Sequence, residues 1–135
     1  MERFLGRYSA YIYALLRIVA GLLLLMHGTQ KVLGWPLPLP MPADTMITVI
    51  GIWEIIAGAM ILIGLFPSIP AFITSGMLAV GYFMVHQPQG AWPIQNFGEP
   101  AVLFCFIFLY IASRGAGPLS VDSAMGRNRP TASDV

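Results

Sequence analysis

Leu16-Arg-Ile-Val-Ala-Gly-Leu-Leu-Leu-Leu-Met-His-Gly-Thr-Gln-Lys31 decides how this chain is read. It is the heart of an apolar run long enough to cross a bilayer, yet it carries Arg17 near its start and His27 and Lys31 near its end. A charge in hydrocarbon is costly and must be paired or face a cavity. The pattern recurs further along the chain, where Glu54, His86 and Glu99 lie in or beside apolar stretches and Asp44 stands at a boundary. Two cations, Arg17 and Lys31, balance two anions, Glu54 and Glu99. That balance points to a built polar site inside a membrane bundle.

The composition agrees. The 135 residues are 57% hydrophobic and only 10% charged, against about 25% charged in a soluble domain. One integral membrane domain, residues 1–135, is the expectation. A net charge of +1 supplies no basic field for nucleic acid. The single cysteine, Cys105, excludes an intrachain disulfide and a Cys-x-x-Cys motif. Arg3 and Arg7 before an apolar run imitate a signal peptide. Arg17 interrupts that run and no small-x-small site follows it, so the segment reads as a retained first span.

Four spans are expected, at about 11–33, 45–66, 71–85 and 97–112, forming an all-α bundle of four transmembrane helices. The runs are continuous rather than alternating, which excludes barrel strands. Proline marks the connections. Trp35-Pro-Leu-Pro-Leu-Pro-Met-Pro42 cannot be helix. Pro67-Ser-Ile-Pro70 predicts a tight turn, and His86 to Asn96 is rich in turn formers. The tail, 115–135, reads as flexible towards its end. Arg3 and Arg7 precede the first span, and Arg114, Arg127 and Arg129 follow the fourth. Both termini are therefore expected on the cytoplasmic side of the plasma (inner) membrane, with Trp35 and Trp92 outside. His27, Gln30, Lys31, His86, Asn96 and Glu99 then converge in the outer half, with Glu54 roughly 15 Å deeper than Asp44 along its helix.

Helical spacing gives each span one stripe. In span one it is Arg17, Gly21, Leu24, Gly28 and Lys31. In span two it is Gly51, Glu54 and Gly58, and in span three Ser75, Ala79, Tyr82 and His86. In span four it is Glu99, Leu103, Phe106 and Tyr110. These stripes are expected to face the bundle interior. Structural roles compete with functional ones. Arg17 and Glu54 form a structural ion pair on this reading, Lys31 can snorkel to headgroups, and Glu99 suits the first turn of a helix.

These segments together resemble the DoxX family of small four-span membrane proteins. The resemblance runs from Leu15 to Asp122. It is carried by Leu16–Lys31, Trp53-Glu54, Gly81-Tyr-Phe-Met-Val-His86, Pro93-Ile-Gln-Asn96 with Gly98-Glu99, and Ser113-Arg-Gly-Ala-Gly-Pro-Leu-Ser-Val-Asp122. The chain departs from the usual Asn-Gly-Gly-Glu-Leu of the family with Asn96-Phe-Gly-Glu-Pro100. The resemblance implies two activities. Some members look like a subunit of a thiosulfate:quinone oxidoreductase or belong to membrane redox complexes. More distant ones look like assembly factors.

Three functions follow from the residues and the resemblance. The first is a quinone-linked oxidoreductase or a subunit of a membrane redox complex. His27, Gln30, Lys31, Tyr82, His86 and Asn96 would bind the headgroup, Glu54 and Glu99 would relay protons, and a partner would supply electrons. The second is a non-enzymatic membrane subunit or assembly factor that binds another membrane protein or a second copy of itself. The third, a haem or metal protein using His27 and His86 with Glu99, has no spacing motif behind it.

Overall fold

The computed structural model describes residues 1–127, which are largely helical and contain no strand. A turn of helix, α1 (Glu2–Leu5), and a 3-10 turn, Gly6–Tyr8, lead into α2 (Ser9–Leu33). Then come α3 (Thr45–Ile63), α4 (Ser68–Gly81), α5 (Glu99–Arg114) and α6 (Val121–Ala124). After Gly81 the helix of α4 continues as a π-helical segment, Tyr82–His86.

Local chemistry fixes the ends. Gly34, at φ +68°, takes the left-handed conformation that closes α2, and Trp35 N–H bonds back to Thr29 O. Asp44 caps α3 by accepting from Ile47 N–H at 2.8 Å. Pro67 and Pro70 do not form the expected turn. They sit at the cap and in the first turn of α4, where a missing N–H costs nothing. The reversal lies one step earlier, at Gly64 to Phe66.

The four long helices alternate in direction. Gly21 of α2 lies against Gly58 and Leu62 of α3, whereas Gly28 lies against Gly51 and Ile55. Trp53 donates to Thr74 across the short reversal at Gly64 to Phe66, and Ser75 donates to the carbonyl of Cys105 between contacts of Tyr82 with Gly98 and of Ser68 with Gly115, so α3 to α4 and α4 to α5 also run antiparallel. Tyr13 at one end of α2 meets Tyr110 near the end of α5, which closes the ring. The core is Tyr13, Ala20, Leu24, Ala57, Ile61, Ala71, Phe108 and Ile111.

The surface is apolar around the waist, with Leu15, Val19, Ile52, Phe72 and Leu109 exposed. Three helical stretches are long and apolar enough to cross a membrane: Glu2–Leu33, Thr45–Ile63 and Ser68–Gln89. The 16 residues of α5 extend about 24 Å.

The expected inward face of α5 also differs. The stripe Glu99, Leu103, Phe106 and Tyr110 faces outward, with Leu103 64% and Phe106 65% exposed. The buried face of α5 is Phe108 and Ile111, flanked by Phe104 and Ile107. Lipid is as apolar as a bundle core, so hydrophobicity does not select the inward face of such a helix. The described part of the tail is docked. Tyr13 hydroxyl donates to Gly115 O, and α6 is capped by Ser120 and docked through a buried Asp122. Arg129 and the end of the tail lie outside the described residues.

The α2–α3 contact predicts its own mutational signature. A Cβ on Gly58 would stand 2.5 Å from the backbone nitrogen of Leu25, and one on Gly21 2.5 Å from that of Leu62. Gly21→Ala and Gly58→Ala should each lower stability by about 1–3 kcal/mol through overpacking. Gly76→Ala meets nothing within 4 Å and should be neutral or mildly stabilising. Thermal unfolding in detergent measures this, and equal effects at all three positions would reject the close-packed seam.

Candidate functional site

Lys31 Nζ lies 2.7 Å from Glu54 Oε2, with the side chains 21% and 11% exposed. Gly51 makes this pair attainable. A Cβ there would come within 2.8 Å of Lys31 Cβ, so only glycine lets the lysine stem lie across α3 and reach the carboxylate one turn on. The ammonium also approaches His27 O at 3.5 Å.

The expected Arg17–Glu54 ion pair is therefore corrected. Arg17 is 0% exposed and spends its guanidinium on main-chain carbonyls. Nη1 donates to Ile61 O at 2.7 Å and Leu62 O at 2.8 Å. Nη2 donates to Leu119 O at 2.7 Å and Pro118 O at 3.3 Å. A cation at the C-terminus of α3 meets the negative end of that helix, adding a second donor to Ile61 O, which already accepts from Gly64 N–H at 3.2 Å, and reaching Leu62 O beside it. It ties the post-α5 segment to α3 at the same time. Asp122 completes the joint by accepting from Phe66 N–H at 2.9 Å and pairing with Arg127 at 3.3 Å. Its role was missed in the sequence. The only local sign was Ser120, a capping residue before a helical turn.

The ion pair opens on a cleft of about 350 Å³. Leu24, Leu78, Phe104 and Phe108 supply apolar walls, and His27, Lys31, Glu54 and His86 supply the polar groups. Leu24, Phe104 and Phe108 were invisible as site residues because their composition is that of any core position.

The remaining candidates divide. Tyr82 and Asn96 stand next to His86: its ring stacks on Tyr82 at 6.1 Å, and its Nδ1 lies 3.0 Å from Asn96 O. Gln30 does not line the cleft; with Lys31 it lines a separate hollow beside Leu39, Pro40 and Met41. Glu99 is exposed at the start of α5, and its neighbours Pro100 and Ala101 line the cleft instead. Among the described residues no group of three or more His, Cys, Asp or Glu side chains is placed to hold a metal ion, so His27, His86 and Glu99 do not converge as a ligand set.

Fold and surface define a helical membrane protein with a largely apolar cleft between its helices. Residues 12–87 match the profile of the DoxX family. A protein of Haemophilus influenzae, described only as uncharacterised, is 36% identical over 126 residues, covering 88% of this chain and 94% of its own. No solved structure matches the chain at a significant level. The chain belongs to the DoxX family.

The pairing predicts which charges are coupled. Lys31→Met and Glu54→Gln should each destabilise, and the double variant should lose less than their sum, by about 1–3 kcal/mol. Arg17→Met with Glu54→Gln should be additive within about 0.5 kcal/mol. A double-mutant cycle on unfolding in detergent decides it, and strong Arg17–Glu54 coupling would overturn the assignment.

Proposed function

We propose that this DoxX protein is a four-span inner-membrane protein that binds a membrane quinone in the Lys31–Glu54 cleft, as a quinone-linked oxidoreductase or the quinone-binding subunit of a redox complex. The observation that carries this reading is an ion pair opening into an otherwise apolar cleft. A quinone is a flat apolar ring with two polar oxygens, and it needs such walls with a few polar groups between them. The ammonium of Lys31 has hydrogens beyond the one directed at Glu54, and these serve a ligand oxygen. His27 and His86 supply further polar contacts, and Glu54 relays from solvent the two protons that the ring oxygens take up with the two electrons. Electrons come from a partner protein.

The four-span reading rests on α5 lying antiparallel to α4 within the ring of helices. At about 24 Å it spans a locally thinned bilayer. Cytoplasmic termini rest on the arginines gathered at one end. Arg7 lies over Phe4 and Tyr8, Arg114 over Tyr13 and Arg127 over Phe66. Trp35 and Trp92 are exposed in the loops of the opposite end.

Two measurements test this reading. Protein purified in its native lipids should yield quinone on solvent extraction, and His27→Gln and Lys31→Met should lower its occupancy by about tenfold each. Quinone-free wild-type protein would reject the quinone and leave a non-enzymatic membrane subunit as the better reading. In a Cys105→Ser background, a cysteine at Gln89 should react with an impermeant thiol reagent in intact cells and one at Ser123 should not. The reverse pattern would invert the topology.

A further inference from the structure

We propose that the cleft is built for the reduced, hydroxyl-bearing ring, a hydroquinone, and that Asn96 is the positioning residue that makes it so by fixing the tautomer of His86. This rests on the quinone reading of the same cleft and adds which redox form it prefers.

Asn96 is not available as a ligand. It is 1% exposed, and its side chain is fully engaged. Nδ2 donates to Tyr82 Oη at 3.2 Å and Gly90 O at 2.9 Å, and Oδ1 accepts from Gly98 N–H at 2.9 Å. Gly98 is required for this fold of the loop, since a Cβ there would stand 2.5 Å from the Tyr82 ring. The result is a rigid loop whose Asn96 carbonyl lies 3.0 Å from His86 Nδ1.

A carbonyl oxygen has no hydrogen to give, so Nδ1 must carry one. A neutral imidazole has only that hydrogen, which leaves Nε2 as an acceptor. The near-parallel Tyr82 ring, 24° from the imidazole plane, holds the orientation. Nε2 makes no hydrogen bond among the described residues, and it is not sealed in the interior, where Arg17 Nε is the one buried side-chain nitrogen or oxygen without a partner. His86 thus brings the cleft an acceptor, while Lys31 brings a donor. A hydroquinone satisfies both: one hydroxyl donates to Nε2, and the other oxygen accepts from the ammonium. A quinone carbonyl would face the Nε2 lone pair with one of its own, and a polar pair left unmade is costly.

The chain has two histidines, so nitrogen spectroscopy can read each one. Histidine-labelled full-length protein in nanodiscs, with His27→Gln for assignment, should show His86 with Nδ1 protonated and Nε2 bare. Duroquinol should bind about tenfold or more tighter than duroquinone under anaerobic conditions. Asn96→Ala should release the ring to the other tautomer and bring the ratio towards one. Should that variant fail to fold, His86→Gln carries the same test, because glutamine offers a donor as well as an acceptor. A protonated Nε2 in the wild type overturns the proposal. Equal binding of the two probes overturns it while leaving the quinone reading intact. Binding of neither probe removes the quinone reading and the proposal together.

Discussion

The backbones of α2 and α3 touch at two levels, Gly21 on Gly58 and Gly28 on Gly51, and the rest of the molecule is arranged around that contact. In an apolar surrounding, helices gain little from hiding hydrophobic side chains from each other, so close van der Waals approach is what holds them. The two glycine pairs are spaced seven residues apart on each helix, two turns, which keeps them on one seam. The same approach sets the reach of the charged side chains. Arg17 stands one turn below Gly21 and meets the end of α3. Lys31 stands one turn above Gly28 and crosses Gly51 to find Glu54.

The two cations of α2 solve the same electrostatic problem in different ways. Arg17 is planar with five donors, and four carbonyls from two segments surround it. Such a group suits a structural joint, because its planar fork reaches carbonyls of two segments at once. Lys31 is a compact point charge, and it pairs with one carboxylate at the edge of a cleft. One end of the bundle is thereby closed by hydrogen bonds, and the other keeps polar groups at the edge of a cleft.

The polar end has a second layer. Tyr82, Asn96 and Gly98 hold His86 from behind, and His86 lines the cleft. The π-helical segment Tyr82–His86 supports this arrangement, since a wider turn shifts which side chains share a face. Tyr82 and Asn96, both plausible ligands by residue type, become supports once their partners are counted.

What the sequence determined by itself is local in origin. Long apolar runs, the proline-rich connection before Asp44, the glycine at position 34 and the charges inside the runs are enough to define the helices, most of their limits and the family. The faces of α2 and α3 were legible too, because charges and glycines mark them. What only the tertiary structure decided is which groups meet. Arg17 met carbonyls rather than Glu54, Glu99 stayed outside the cleft, α5 turned Phe108 rather than Phe106 inward, and the segment after Gly115 docked. A helix turns about 100° per residue, so a neighbour rotated by one position presents a different partner to the same charge. That rotation is set by packing between helices, where backbone carbonyls compete with carboxylates for every cation. Carbonyls leave no mark in a sequence, because every residue has one.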